Sequence, residues 1–156
     1  MNRAKQIEAD VDTSGIHLWL VLWKAARSLE AHAARSIGGF GMCQSDFGVL
    51  EALLHRGPLS VKEIGAKVLL TSGSMTAAVD RLEARGLVTR EDDAEDRRSR
   101  IIHLTENGRG LIEKVFAEHR DAMEQAVAEF PVEERAALIR SLRRLGRSAE
   151  DKFSEK

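Results

Sequence analysis

The sequence predicts a mainly α-helical protein with one small β-hairpin. Three observations point to this fold class. The helix-forming residues Leu, Ala, Glu and Arg dominate the composition, while Pro occurs only twice in 156 residues. Apolar residues recur at helical spacing over most of the chain. Two short β-prone runs, 87–90 and 100–104, are separated by a polar stretch, which is typical of two strands joined by a loop.

The first predicted helix covers about residues 14–37 and is apolar nearly all round in its first half. Such a helix is buried on several sides, and in a small chain a second subunit is one way to bury it. Its apolar run, 16–23, is too short to span a bilayer, so no membrane contact is expected. The preceding residues mix acidic and basic side chains without the apolar stretch of a signal peptide.

Short breaks separate the helices that follow. A second helix is predicted over about 45–55, with Ser45 or Asp46 as its N-terminal cap. Ser60 and Glu63 have the spacing of a capping box, in which each side chain accepts a hydrogen bond from the other residue's backbone N–H. They therefore predict the start of a short third helix.

A fourth helix is predicted over about 74–85, because a tight turn at 71–73 can cap its start. Gly86 is expected to end this helix in the left-handed conformation that glycine adopts readily. The hairpin follows, with a long polar loop at 91–99 between its two strands.

Two more helices are predicted after the hairpin. Thr105 is expected to cap a long helix that runs to about residue 129, and Pro131 marks the start of the last helix. The charged C-terminal stretch is expected to be frayed. The predicted organisation is a flexible arm at 1–13, a single domain at 14–147 and a charged tail at 148–156.

The order of helix, short helix, tight turn, helix and hairpin over about 45–104 is typical of a winged helix-turn-helix that binds DNA. The last helix of such a motif lies in a major groove about 12 Å wide, so the residues at its start are short and polar. A helix N-terminus also favours a phosphate. The candidate DNA-binding residues on this helix are Thr71, Ser72, Ser74, Thr76, Ala77 and Arg81.

The hairpin loop is acidic at its start and basic at its end. Arg97 and Arg98 are expected to enter a minor groove, where negative potential concentrates, and Asp96 to hold one of them by a charge-assisted hydrogen bond. The formal net charge of −1 gives no support to DNA binding, which therefore depends on local arrangement. The alternative is a winged helix for protein contacts, in which the hydroxyls only cap a helix and the loop is merely solvated.

The residues themselves resemble a known family. The run 68–90, VLLTSGSMTAAVDRLEARGLVTR, resembles the recognition segment of the MarR family of transcription regulators. Residues 93–98, with an Asp-x-Arg ending on Arg98, resemble the wing of that family, and 102–108, IHLTENG, resemble the strand and helix start that follow. The resemblance covers nearly the whole chain, from about 14 to 147.

This resemblance implies a homodimer that binds double-stranded DNA at a palindromic operator, with Arg98 in the minor groove. The terminal helices, about 14–37 and 105–147, are then the dimerisation region. The chain is most similar to the quinone- and hydroquinone-responsive, MhqR-like branch, which implies a repressor released by a small aromatic, phenolic or quinone effector.

Aromatic side chains can stack on such an effector. The candidate ligand-binding residues are Trp19, Trp23, Met42, Phe47, Phe116 and His119. The competing interpretation is that all six belong to the core and the dimer interface, because any buried helix shows this spacing.

Cys43 is the single cysteine, so no intrachain disulfide can form, which suits a reducing cytoplasm. Peroxide-sensing members of the family carry a reactive cysteine within the first helix, whereas Cys43 follows that helix. We therefore expect a buried, inert thiol. A regulator that senses oxidants through Cys43 remains the alternative.

The remaining chemistry of the chain predicts neither a metal site nor an enzyme. His17, His32, Cys43 and His119 lack tight ligand spacing, so only their convergence in space would build a zinc site, and no cofactor is expected. A nucleophile would need a base and an orienting group, and the sequence has no glycine elbow or phosphate loop to support one.

Overall fold

The computed structural model describes residues 11–68, 72–93 and 99–154. This part of the chain confirms the mainly α-helical fold with a small β-hairpin, and its contacts divide it after Met123 into two compact units. The elements in chain order are α1 (Gly15–Gly38), α2 (Gln44–Arg56), β1 (Leu59–Ser60), α3 (Val61–Val68), α4 (Ser72–Ala84), β2 (Val88–Asp92), β3 (Arg100–Leu104), α5 (Glu106–Ala126) and α6 (Val132–Ser154).

Two helix starts carry the side-chain caps that the sequence predicts. At α3, the Ser60 backbone N–H donates to Glu63 Oε2 at 2.8 Å, and the Glu63 N–H donates to Ser60 Oγ at 3.3 Å. The bonds from Ser60 lower the pKa of Glu63 below its ordinary value, because they stabilise the carboxylate. At α5, Thr105 Oγ1 accepts from the Gly108 N–H at 3.0 Å. The predicted capping box and threonine cap are therefore confirmed.

Two other helix starts differ from the prediction. The N-cap of α2 is Cys43, so neither Ser45 nor Asp46 caps it; both lie in the first turn, where their side chains bond to Arg81. The helix α4 begins at Ser72, two residues earlier than predicted. Gly73 lies in this first turn, whereas the helix-breaking cost of glycine applies to the interior of a helix.

The ends of α4 and α6 also test the sequence prediction. Gly86 has φ of 68°, and the N–H groups of Gly86 and Leu87 donate to the carbonyls of Glu83 and Leu82, which confirms the predicted glycine terminus. The helix α6 instead continues to Ser154, so the expectation of a frayed tail is wrong for 148–154. Ala, Glu and Lys in this stretch favour helix strongly enough to extend it.

The sheet has one strand more than the predicted hairpin. Strands β2 and β3 are antiparallel, with Val88 opposite Leu104 and Asp92 opposite Arg100. The two-residue strand β1 pairs with the other edge of β3, placing Leu59 opposite Ile102. This strand joins the start of α3 to the hairpin.

The core lies among α2, α3, α4, the sheet and the first half of α5. Its largest fully buried side chains are Ile37, Leu50, Leu53, Ile64, Met75, Leu82, Ile102, Ile112, Val49, Val79, Val88 and Val115. Gly108 places the first turn of α5 against the backbone at Leu87, where a Cβ would lie 1.9 Å from the carbonyl oxygen. Helix α5 can therefore start close to the hairpin only with glycine at this position.

Residues 1–10 of the predicted N-terminal arm lie outside the described part of the chain, and 11–14 have no regular secondary structure. Among the described helices, none combines the length and apolar character that crossing a membrane requires.

Candidate nucleic-acid interface

Helix α4 has one buried face and one exposed polar face. Its buried side chains, Met75, Ala78, Val79 and Leu82, are all 0% exposed. Ser74, Thr76 and Ala77 lie on the exposed side near the start of the helix. These short side chains leave room for a groove wall to approach the helix, as the sequence predicts. Thr71 and the side chain of Ser72 lie outside the described part, so their DNA contacts stay predictions.

Arg81 fixes α4 to the start of α2. Its Nη2 and Nε both donate to Asp46 Oδ1, at 2.7 and 3.2 Å, and Nη2 also donates to Ser45 Oγ at 3.1 Å. Asp46 is buried at 4% exposure, whereas the Arg81 side chain remains 47% exposed. The hydrogen bonds that Arg81 donates to Asp46, and the negative charge of Asp46, raise the pKa of Arg81 above its ordinary value. A phosphate contact by Arg81 stays a prediction; its bonds to Asp46 and Ser45 are structural.

Ion pairs also tie α4 to the hairpin. Arg90, on β2, forms an ion pair with Asp80 and a second one with Glu83 Oε2 at 3.0 Å from Nη1. Just beyond the helix, Arg85 Nη1 donates to the Gly41 carbonyl oxygen at 3.2 Å. The charged side chains of α4 therefore hold it against α2 on one side and the hairpin on the other.

The hairpin leads towards the predicted wing. Asp92 and Arg100 face each other on β2 and β3 and form an ion pair, which supports the register up to the loop. The Asp93 N–H donates to the Ser99 carbonyl at 3.3 Å, which extends the pairing by one step. The tip of the loop lies outside the described residues, so the predicted roles of three residues there stay predictions: Asp96, Arg97 and Arg98.

The six candidate ligand residues fall into two groups, the exposed tryptophans of α1 and the four buried or half-buried residues that follow in the chain. Trp19 and Trp23 stack at 6.1 Å between ring centroids on the exposed surface of α1. Met42 and Phe47 are buried in the core, which favours a packing role, and Phe116 and His119 are half-buried on α5. Ligand binding by these six residues stays a prediction.

His119 is the polar member of the second group and joins three helices. Its ring lies 4.8 Å from that of Phe47 on α2, and its Nδ1 lies 2.8 Å from Ser36 Oγ on α1. The Ser36 hydroxyl donates its proton to the Ala33 carbonyl at 2.8 Å. The contact with Ser36 occupies Nδ1 of His119 and leaves Nε2 as the second polar atom of the ring.

Cys43 is exposed, so the expectation of a buried thiol is wrong. The residue occupies the N-cap position of α2, at the helix end and off the packed face, and its side chain makes no capping hydrogen bond. Its Sγ lies 3.0 Å from Ser45 Oγ and 3.5 Å from Arg81 Nη2. The thiol therefore belongs to the polar cluster that holds α4 in place.

The described residues contain no group of three or more His, Cys, Asp or Glu side chains arranged to hold a metal ion. Of the four residues considered for zinc, His17 lies at the start of α1 near Asp12, while His119 bonds to Ser36.

The sequence alone does not reveal the structural partners of α4. Asp46 precedes a buried apolar run of α2 and lies 35 residues from Arg81, so no local spacing links them. A carboxylate beside core residues was the available signal, because Asp is almost never fully buried unless it is paired. Arg90 is the last residue of the run 68–90 that resembles the MarR family, and its ion-pair partners likewise lie on another element, the preceding helix α4.

Comparisons with known proteins agree with this geometry. A sequence profile of the MarR family matches residues 40–99. The HTH-type transcriptional regulator MhqR of Bacillus subtilis is 35% identical over 134 residues, which are 86% of this chain and 92% of MhqR.

Solved structures include Sco3205, a MarR family transcriptional regulator from Streptomyces coelicolor in complex with DNA, with 28% identity and a TM-score of 0.79; the match covers 88% of this chain and 89% of Sco3205. BpsR of Bordetella bronchiseptica, solved in work on the regulation of its DNA binding by 6-hydroxynicotinic acid, has 25% identity and a TM-score of 0.71; the match covers 81% of this chain and 98% of BpsR. These proteins are transcription regulators and not enzymes. The chain therefore belongs to the MarR family of DNA-binding transcription regulators.

Proposed function

We propose that two copies of this chain form a homodimer that binds a palindromic operator. The exposed apolar surface of α1 carries this proposal. Ile16, Trp19 and Val21 are 65%, 56% and 51% exposed in the single chain. Large apolar side chains in a contiguous run favour burial, since each contributes roughly 1.5–3 kcal/mol when fully buried. A second copy related by two-fold symmetry buries this surface and places two winged helices on one duplex.

Each copy uses the start of α4 to read the major groove and the loop of its hairpin to reach the minor groove. The short exposed side chains of Ser74, Thr76 and Ala77 support this arrangement. So does the similarity to Sco3205, whose structure contains DNA. Because the two copies are related by a two-fold axis, the preferred site is a palindrome.

The dimer acts as a repressor in the cytoplasm, and a small aromatic, phenolic or quinone ligand releases it from the operator. The similarity to MhqR and to BpsR, whose DNA binding is regulated by 6-hydroxynicotinic acid, supports this part of the proposal. Phe116 and His119 are the half-buried groups that we propose to meet the ligand. His119 suits a hydroxylated ring, because its Nε2 is available as a hydrogen-bond partner once Nδ1 is bonded to Ser36.

A second candidate function is oxidant sensing through Cys43. The exposure of its thiol and the 3.5 Å distance from Sγ to Arg81 Nη2 favour this alternative. Oxidation would enlarge and polarise the sulfur, and so would disturb the cluster that positions α4. Loss of operator binding after peroxide treatment of the wild type, but not of Cys43→Ser, would distinguish this function from ligand release.

Sequencing the DNA fragments that the purified protein retains tests the proposal. We expect one palindromic motif, released by at least one member of a panel of phenols, quinones and aromatic acids. If the protein retains no DNA, a winged helix for protein contacts is favoured. If it retains DNA that no compound of the panel releases, the proposed class of effector is contradicted. Light scattering should give about twice the chain mass of 17.3 kDa.

A further inference from the structure

Helix α6 carries an unbalanced positive surface, which we call the arginine face: Arg140, Arg143, Arg144 and Arg147. These residues are spaced i, i+3, i+4 and i+7, and all four are exposed. Residues 136–149 contain no Asp or Glu. Among the residues that the structure describes, none forms a salt bridge with any of the four. With Ala137 and Ser141, they line an open surface depression of ≈ 600 Å³.

The arginine face lies opposite the apolar face of the same helix. At about 100° per residue, the mean direction of the four arginines is about 160° from that of Leu138, Ile139, Leu142 and Leu145. The first three of these apolar residues are 45%, 48% and 38% exposed in the single chain. Whatever covers the apolar face therefore leaves the arginine face directed away from that contact.

Positive charge is concentrated on this face of α6 and not on α4. Helix α4 has one arginine against one aspartate and one glutamate, whereas the central part of α6 has four arginines and no acid. We propose that the arginine face binds the phosphate backbone of double-stranded DNA, as a second, sequence-independent surface in addition to the winged helix. This proposal requires neither a palindromic operator nor an effector.

The density of charge suits DNA. The four arginines extend over about 10 Å of helix, a length along which duplex DNA carries about six phosphates. Each guanidinium can donate two hydrogen bonds to one phosphate. Ser141, which lies between the arginines, and Ala136 and Ala137, which precede them, are small, so they do not obstruct the approach of a phosphate backbone.

The arginine face is less suited to the two other partners that a basic helix can bind, a protein and a membrane surface. A protein interface is built around apolar or aromatic side chains, and the arginine face has none. A membrane-surface helix inserts its apolar face into lipid, while the basic face lies towards the headgroups. In α6 the apolar face is the side available for packing against protein, so insertion in lipid would compete with that packing.

Fluorescence anisotropy with a 40-base-pair duplex of random sequence tests the proposal. The full-length protein is compared with the variant carrying Arg140→Gln, Arg143→Gln, Arg144→Gln and Arg147→Gln. A matched control removes four exposed cations from α1 and α5 by Lys24→Gln, Arg35→Gln, Arg109→Gln and Arg120→Gln. Circular dichroism and light scattering verify the fold and oligomeric state. If the fourfold variant fails to fold, the pairs Arg140→Gln/Arg144→Gln and Arg143→Gln/Arg147→Gln replace it.

We expect the arginine-face variant to lose at least about tenfold in affinity at 50 mM salt. The slope of log affinity against log salt should fall by about 2–4, at roughly 0.9 for each lost contact. An unchanged slope, or an equal loss in the control variant, would overturn the proposal. The proposal would also be overturned by a second result: the wild-type protein binds anionic phosphatidylglycerol vesicles, the arginine-face variant does not, and the two have the same affinity for the duplex. Operator affinity, measured in parallel, reports on the winged helix and separates its failure from failure of the arginine face.

Discussion

Arg81, on α4, donates two hydrogen bonds to one carboxylate oxygen, Oδ1, of the buried Asp46, at 2.7 and 3.2 Å. Asp46 lies in the first turn of α2, where the positive end of the helix dipole also stabilises its charge. The pair therefore connects the helix expected to enter the groove with the rigid core beneath it. Removing the negative charge of Asp46 is therefore expected to weaken DNA binding, whereas simple electrostatics would strengthen it.

Asp46→Asn should weaken operator binding by about tenfold, although it removes a negative charge from a DNA-binding domain. Asparagine weakens the charge-assisted bond to Arg81, so α4 is held less firmly. The affinity can be measured by anisotropy, with Asp121→Asn on α5 as the matched control. Simple electrostatics would give tighter binding for both variants, and that outcome would contradict a positioning role for Asp46.

Arg81→Ala should also weaken operator binding, and its salt dependence distinguishes two roles. If Arg81 acts by positioning α4, the slope of log affinity against log salt should stay unchanged. A direct phosphate contact, as the sequence predicts, would reduce the slope by about 0.9. Because Nε and Nη2 are already bonded to Asp46, we expect an unchanged slope. The measurement is a titration series between 50 and 200 mM salt.

Gly108→Ala should destabilise the fold by about 2–4 kcal/mol, because the new Cβ would lie 1.9 Å from the Leu87 carbonyl oxygen. Gly110→Ala is the matched control on the same helix, since a Cβ there would meet nothing within 4 Å. The control should stabilise the protein by roughly 0.5–1 kcal/mol, as alanine favours helix over glycine. Urea unfolding measures both, and equal midpoints would disprove the close approach of α5 to Leu87.

Arg98→Ala should reduce operator affinity by about 1–3 kcal/mol, the scale of a specific base contact. The prediction comes from the resemblance of the Asp-x-Arg at the hairpin tip to the wing of the family. Arg120→Ala, on the exposed surface of α5, serves as the control. Unchanged operator affinity in the Arg98 variant would remove this residue from the interface.

Cys43 should react completely with iodoacetamide in the native protein, because its side chain is exposed. Alkylation adds bulk next to Arg81 Nη2, so the modified protein should bind the operator less tightly than the untreated protein. Mass spectrometry measures the extent of reaction, and treated Cys43→Ser controls for effects elsewhere. A thiol that reacts only after unfolding would show that Cys43 is covered in solution.

The features that the sequence predicted correctly are local. Ser60 and Glu63 lie three residues apart, and Thr105 caps the turn that it starts, so their spacing already contains the geometry. Gly86 likewise ends α4 through its own backbone freedom. The order of these elements was enough to indicate a winged helix-turn-helix and the candidate residues on its exposed face.

The features that the sequence did not predict depend on contacts between distant segments. Strand β1 is two residues long and exists because β3 has a free edge beside it. Cys43 occupies the N-cap position of α2, while Ser45 and Asp46, in the first turn, bond to Arg81 on another helix. Periodicity reports which face of a helix is apolar, but it does not identify the partner of a polar residue at the edge of that face.

We propose that two copies of this winged helix hold one duplex. A titration of the retained operator duplex with purified protein, repeated between 50 and 200 mM salt, is the direct test of this arrangement. We predict saturation at two chains per duplex and an affinity that falls by about 10³-fold or more across this range, as several phosphate contacts are lost. Saturation at one chain per duplex, or an affinity that does not depend on salt, would contradict the account.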